Sequence, residues 1–575
     1  MGRTGKLFLF VVCIAALVMI VLYFSGDRQT ADSKGTSGGG AGGGDAAVEA
    51  SPGGPRFGGT VSFLSRKDPQ TLNNVIHSDG PSRRISSFIF PPLIDLDPET
   101  KALRPLTAAI LPEIAAGNLV HRWRLREGLK WHDFEESGAY LTTRDVKFSF
   151  DLIWNEKIDA AHVKEALGGL EEIRVVDDLT FETVYSEPYF SSAYTFGRRM
   201  RIMPAHLLEG VPAEEINRHP LGRNPIGYGP FRFGRWETGR EVVLERSDLN
   251  RDIFPEFARP WMDRIRWKIV ADKSMEYLLF KKGELDIFNM VHDDVEAKAG
   301  TEDFKKVGTV HTYYIPYFNY IGWNNRSDFF ENRLTRQAMA HLIRRHQILE
   351  SHLYGKGKVL SGPFYYFSNE YDRSIEPRPF DPDRARTLLA DAGWSDSDGN
   401  GILDKEFDGE RKEFRFEILL STNMFPYEMA LYRRFEEDLK TVGIIMVQRR
   451  LEWNTRRALI TDQKFDAYQL GATADLLYED YYMAWHSSQT VVPLRNRVGF
   501  VNARVDEILE QARIEVEDAK RYALMRELHA ILHEDQPVTA LYTPAVNAAV
   551  SNRMQNVRVY DGQGVYVYDW WLSEN

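Results

Sequence analysis

Eighteen consecutive residues near the N-terminus, Leu7–Phe24, read LFLFVVCIAALVMIVLYF and carry no polar or charged side chain. Ser25 and Gly26 extend the uncharged stretch to Asp27. At about 1.5 Å per residue the run makes a helix of roughly 27–30 Å, enough to cross a bilayer core. Arg3 and Lys6 precede it, and basic residues hold the near end of such a helix in the cytoplasm. Everything that follows is therefore expected on the far side of the cytoplasmic membrane. A secretory signal has a shorter apolar run of about 7–15 residues and a small-residue cleavage site. Tyr23-Phe24-Ser25-Gly26 is a poor site of that kind, so residues 1–26 are expected to stay as an anchor, with a cleaved signal as the alternative. Cys13 follows Phe10-Val11-Val12 and lacks the small residue a lipid-modified cysteine needs. Gly35 to Pro55 then holds nine glycines in 21 positions. That composition cannot bury a core and behaves as flexible coil. Residues 27–55 read as a linker, and the folded body begins near residue 56.

The chain has 575 residues, 43% of them hydrophobic, which suffices for a large core and more than one domain. Cys13 is the only cysteine, so the exported body has no disulfide, thiolate metal site or cysteine nucleophile. The net charge is −11. Residues 1–34 hold Arg3, Lys6, Arg28 and Lys34 against Asp27 and Asp32, or +2, leaving −13 for the rest. An acidic body argues against nucleic acid as a partner.

Strands and helices alternate along the body. In Asp263–Val270 (DRIRWKIV), Ile265, Trp267 and Ile269 alternate with Arg264, Arg266 and Lys268, which predicts a half-buried strand. Arg240–Arg246 and Leu119–Leu125 read as further strands. Asp381 caps a predicted helix that starts at Pro382, carries an apolar stripe of Ala385, Leu388, Leu389 and Ala392, and stops at Gly393. Leu431, Phe435, Leu439 and Val442 form a second stripe ended by Gly443, and the apolar run Ile444–Val447 reads as a buried strand. Two more helices begin near Val505 and Tyr522. Such units point to α/β layers.

No GxSxG elbow, GxxxxGK[ST] loop or HExxH helix occurs. His529 and His533 share a helix face with Glu534 beside them, and a solvated face is the expected reading. The loop Asp396-Ser397-Asp398-Gly399-Asn400-Gly401-Ile402-Leu403-Asp404 matches the first nine positions of an EF-hand loop. Asp396, Asp398, Asn400, Asp404 and the Ile402 carbonyl are the candidate ligands of a structural calcium. The twelfth position is Phe407 where a bidentate Glu is needed, so a polar turn is the alternative. No other cofactor is called for. Among the aromatics, the pairs Tyr313-Tyr314, Tyr365-Tyr366 and Tyr481-Tyr482 are the better candidates to line a cleft.

Several segments, in order, carry a family likeness: Trp123–Asp133 (WRLREGLKWHD), Leu141–Val146, Pro225–Phe231 (PIGYGPF), Lys282–Asp286 (KGELD), Gly322-Trp323-Asn324, Arg336-Gln337-Ala338, and Asp381-Pro382 through Gly393-Trp394. From about Gly59 to the C-terminus the chain resembles the family 5 extracellular solute-binding proteins, the peptide- and nickel-type receptors of ABC importers. The resemblance implies a two-lobed α/β periplasmic-binding-protein fold with a hinge. Lobe I would comprise residues 56–270 with an inserted subdomain at about 82–195, lobe II 271–540, and 541–575 would return to lobe I. It implies a monomeric receptor, not an enzyme, that takes a small solute between its lobes and delivers it to a membrane permease. A short peptide is the expected ligand. The segment around Asp475 is similar to the one whose acidic residue holds a peptide's ammonium in that family, although Ala472 replaces an aromatic and no Pro follows Asp480. Asp475, Tyr228, Gly229, Trp323 and Asn324 are thus the expected ligand-binding residues. The alternative is a membrane-tethered sensor or scaffold that binds a ligand without feeding a transporter.

Overall fold

The computed structural model describes residues 54–573. The expected anchor and most of the linker lie outside these residues. Among the described residues no helix is long and apolar enough to cross a membrane.

Twelve strands form one mixed sheet. Its order runs Ile445–Leu451, Arg415–Ser421, Ala467–Thr473, Tyr317–Trp323, Val538–Ser551, Ile287–Met290, Thr60–Ser65, Arg264–Ile269, Glu241–Arg246 and Phe231–Glu237, with Gly308–Tyr314 and Gly357–Val359 also on Val538–Ser551. The sequence periods are realised locally. Ile265 and Trp267 are buried and Arg264 is exposed on the Arg264–Ile269 strand. The helix Pro382–Asp391 begins where Asp381 accepts a hydrogen bond from the Arg384 N–H, and Gly393 follows with φ +90°. The helix Pro426–Lys440 buries Leu431, Phe435 and Leu439 and connects two parallel strands, Arg415–Ser421 and Ile445–Leu451.

The long strand Val538–Ser551 belongs to both halves. Residues 538–542 pair with Tyr317–Trp323, and residues 545–551 pair with Gly308–Tyr314. Two lobes result. The core of lobe I includes Phe63, Trp123, Phe181, Trp267 and Trp570. A separate antiparallel sheet of Glu113–Ala115, Val120–Arg124, Thr180–Tyr185 and Leu170–Val175 lies within lobe I and shares that core. Lobe II buries both faces of its part of the sheet. Ile321, Trp323, Phe416 and Ile418 pack on one side, and Phe318, Leu419, Tyr468 and Leu470 on the other.

Strand pairing corrects the expected lobe boundary at residue 270. Ile287–Met290 lies between Thr60–Ser65 and Val538–Ser551, and Gly308–Tyr314 pairs only with the lobe I half of the latter. Residues 271–314 therefore belong to lobe I, and the first crossing falls near residue 315. Periodicity locates a strand but does not choose its neighbour, so the boundary was not readable from the pattern.

Candidate functional site

The chain crosses between lobes at 314–317 and 543–545, and each crossing contains a proline, Pro316 or Pro544. Proline holds φ near −65° and donates no backbone hydrogen bond, which defines the direction of the crossing without adding a ladder bond. Two such connections side by side form a hinge.

Beside this hinge, where the Ala474 N–H donates to the Pro316 carbonyl at 2.8 Å, residues 189–199 of lobe I meet residues 475–521 of lobe II. The helix Ser192–Arg199 brings Tyr194, whose hydroxyl donates to Oδ1 of Asp475 at 2.8 Å. Arg199 stands 3.7 Å from the other carboxylate oxygen. Asp475 also accepts from the N–H groups of Leu477 (3.0 Å) and Tyr478 (3.3 Å), the local turn chemistry of an aspartate, which fixes its direction. Beside it, the Tyr189 hydroxyl and Arg513 both donate to Asp480 at 3.1 Å, and the Phe190 N–H donates to the Arg513 carbonyl at 2.9 Å. The Arg521 guanidinium lies 4.8 Å from the Phe190 ring centre and 5.1 Å from that of Tyr478.

Two buried carboxyls back this contact. Glu370 pairs with Arg521 at 2.6 Å, both side chains almost fully buried. Glu479 accepts from the Asp475 N–H. Burial disfavours the ionised form and pushes the Glu479 carboxyl up to about 8 and that of Glu370 up to about 7, the latter pulled back in part by Arg521.

A turn from the C-terminal return to lobe I fits between the lobes. The Gly562 N–H donates to Tyr314, and a Cβ at Gly562 would stand 2.3 Å from the Leu476 side chain of lobe II. Around this turn the buried hydroxyls of Tyr313 and Tyr365 and the amide oxygens of Asn289 and Gln563 find no hydrogen-bond partner within the protein. Asn289 and Tyr313 fall on one face of the two strands that flank Val538–Ser551, level with Ala548 and Val546. Buried polar groups are normally satisfied, so these atoms are suited to a polar ligand. Tyr313 and Tyr365 belong to the tyrosine pairs singled out in the sequence.

Of the expected ligand-binding residues, Asp475 alone stands where the lobes meet. Tyr228 is fully buried in lobe I and donates to the Pro91 carbonyl at 2.7 Å. Gly229 serves a close backbone approach, since a Cβ would lie 2.3 Å from the Phe88 oxygen. Trp323 is fully buried in lobe II and donates to the Thr539 hydroxyl at 3.0 Å. Asn324 donates its side-chain amide to the Phe465 carbonyl at 2.8 Å and accepts from the Arg326 N–H. These four hold the interiors of the lobes. Aromatic residues beside small ones are a packing pattern as readily as a binding one, and the folded packing decides between them. Tyr194, Arg199, Glu370, Glu479 and Arg521 gave no sequence signal, because their positions depend on the approach of distant segments.

The loop at 396–404 closes on itself. Asp396 accepts from the Gly401 N–H, Asp398 from the Asn400 N–H, and Asn400 from the Ile402 N–H. Asp404 accepts from the Ser397 N–H and hydroxyl and from Arg411, interactions that hold its carboxyl below the usual range. A cation would have to displace Arg411. Among the described residues no group of three or more His, Cys, Asp or Glu is arranged to hold a metal. The expectation of a solvated His529 is corrected. His529 is fully buried, contacts the Ser361 hydroxyl at 3.1 Å and accepts from the Asp372 N–H at 3.0 Å, and burial lowers its pKa to about 3.

The profile of the bacterial extracellular solute-binding proteins, family 5, matches residues 102–492, more than half of the chain. The chain belongs to this family. As a family 5 protein it is a solute-binding receptor, and its relatives extend the likeness to nearly the whole length. It is 28% identical over 544 residues to the oligopeptide-binding protein AppA of Bacillus subtilis, covering 92% of this chain and 94% of the relative. It is 23% identical over 488 residues to the di/tripeptide-binding protein 2 of Pseudomonas aeruginosa, covering 80% and 86%. Among solved structures, AppA of Bacillus subtilis in complex with a nonapeptide superposes with a TM-score of 0.71 at 24% identity, over 91% of this chain and 100% of that one. NikZ of Campylobacter jejuni in complex with Ni(L-His) gives 0.70 at 19% identity, over 90% and 99%. These structures share the two-lobed fold of the family 5 receptor described above.

Proposed function

We propose that this family 5 receptor captures a short peptide between its lobes, as a monomer, and delivers it to the membrane permease of an ABC importer. The observation that carries the reading is the interlobe region itself. A hinge with two crossings lies beside a polar contact centred on Asp475, and unsatisfied polar atoms of Tyr313, Tyr365 and Gln563 gather by the turn between the lobes, with that of Asn289 on the same sheet face as Tyr313. Peptides of varied sequence share a main chain and an ammonium. Main-chain hydrogen bonds supply affinity without a fixed sequence, and one carboxylate fixes the end. Relatives that bind oligopeptides and di/tripeptides support this ligand class.

In this reading Asp475 exchanges Tyr194 and Arg199 for the ammonium of the peptide. Asp475→Asn retains an acceptor for the Leu477 N–H while removing the charge. It should weaken peptide binding by roughly ten- to a hundredfold, and N-acetylation of the peptide should do the same in the unsubstituted protein. Calorimetry with free and acetylated peptides tests this. Equal affinities for the two would remove the ammonium contact from the mechanism. Loss of uptake on deletion of the permease separates an importer receptor from a tethered sensor.

The apolar segment Leu7–Phe24 is the basis for a further part of the proposal: the receptor is held at the outer face of the cytoplasmic membrane by a retained helix. The mature protein should fractionate with that membrane. N-terminal sequencing that starts after Phe24 on the bulk of the protein would show cleavage instead.

A further inference from the structure

The outer face of the lobe I sheet carries a cavity of about 420 Å³ lined by Thr60, Ser62, Val243, Gly283 and four arginines, Arg235, Arg264, Arg266 and Arg553. The register explains how they meet. Ser62 pairs with Arg266, Arg266 with Val243, and Val243 with Arg235, so one row crosses four strands. Adjacent strands are about 4.8 Å apart, which places Arg266 and Arg235 roughly 10 Å apart on either side of Val243. Arg264 lies two residues from Arg266, on the same face and about 7 Å along the strand. The alternate residues Val61, Phe63, Ile265 and Trp267 point the other way, into the lobe I core. The row therefore offers its arginines to solvent above a small apolar floor.

The lining carries no carboxylate, in a protein of net charge −11. Arg553 is committed to Asp286 at 2.6 Å, and Arg235 to Glu241 and Glu237. Arg266 spends its hydrogen bonds on uncharged oxygens, the Ser62 hydroxyl at 3.1 Å and the Glu284 carbonyl at 2.9 Å. Arg264 is 55% exposed and reaches Glu245 only at 3.7 Å through Nε. Two guanidinium groups thus keep donors to spare at the cavity. A planar guanidinium recognises a tetrahedral or planar oxyanion through paired N–H···O bonds, and two of them neutralise a dianion.

We propose that this cavity is a second binding site, for a small oxyanion of the phosphate type, held by Arg264 and Arg266. The site belongs to the outer face of lobe I and shares no residue with the interlobe contact, so it stands or falls apart from the peptide reading. Phosphate reaches such a face either as a free ion or as a lipid headgroup.

The test is calorimetric titration of the full-length chain, in non-ionic detergent, with inorganic phosphate. Saturable binding is expected, weakened at least tenfold in Arg264→Gln and abolished in Arg264→Gln/Arg266→Gln, with Arg434→Gln in lobe II as a charge-matched control that leaves it unchanged. Arg264 is exposed, so its single substitution reads the site even if the double variant is unstable. Repeating the titration in mixed micelles of the same detergent with phosphatidylglycerol or phosphatidylcholine separates the sources. Weaker phosphate binding with the former alone identifies a headgroup, and equal binding identifies the free ion. No saturable binding at millimolar phosphate, or equal weakening by Arg434→Gln, overturns the proposal.

Discussion

Tyr194 and Asp475, 281 residues apart in sequence, share a 2.8 Å hydrogen bond across the gap between the lobes. It joins lobe I to lobe II one residue beyond Ala474, whose N–H bonds the Pro316 carbonyl at the crossing, and Arg199 stands 3.7 Å from the same carboxylate. Removing the hydroxyl in Tyr194→Phe takes a donor from Asp475 and an acceptor from Arg198, and leaves the carboxylate its local backbone donors with Arg198 and Arg199 nearby. A hydrogen bond to a charged acceptor contributes about 1.5–3 kcal/mol. The ratio of closed to open chains without ligand should fall roughly tenfold or more. Energy transfer between dyes placed on the two lobes measures this; an unchanged distance distribution would contradict it.

The buried carboxyls make stability depend on pH with a defined sign. Glu479 keeps its proton up to about pH 8 in the folded chain, against an ordinary value of 4.5. Between those values the folded state binds more protons than the unfolded one, so stability falls as pH rises. Glu370, raised to about 7, acts in the same direction. The melting temperature should therefore decline from pH 5 to pH 8 through these groups, and Glu479→Gln should flatten the decline. A variant curve that runs parallel to the unsubstituted one would show that Glu479 does not titrate in this window.

Tyr228 and Trp323 should affect stability and leave ligand affinity alone. Tyr228→Phe loses its bond to the Pro91 carbonyl, a cost of about 1 kcal/mol. Trp323→Ala opens a cavity in the lobe II core and should cost about 3–5 kcal/mol. Denaturant melts and peptide titrations on the same samples check both. A large loss of affinity in a folded Tyr228→Phe protein would return that residue to the binding site.

Calcium should leave the melting temperature unchanged, because Arg411 and Ser397 already occupy the Asp404 carboxylate. A ligand that binds only the native state raises the melting temperature by mass action. A rise with calcium that chelator reverses, and that Asp398→Ala removes, would show that the cation displaces Arg411.

Much of the local structure was readable residue by residue. The alternation in Arg264–Ile269, the Asp381 cap and the stripe of Leu431, Phe435 and Leu439 each express a spacing within one segment, and that spacing persists in the fold. The ordered segments from Trp123 to Trp394 pointed to the family and with it to two lobes and a hinge. Asp475 was reached through the likeness of its segment to the family, and the turn that directs it, made with Leu477 and Tyr478, came only with the fold.

What the sequence determined by itself, then, was local: the apolar run before residue 25, a body with no cysteine, and the periods of its strands and helices. The tertiary structure alone assigned residues 271–314 to lobe I, turned Tyr228 and Trp323 inward, buried His529, and brought Tyr194 to Asp475. It also set Arg264 and Arg266 beside Arg235 above Val243. The reason is physical: capping and periodicity act over a few residues of one segment, whereas burial, strand partners and charge neighbours are set by which distant segments pack together.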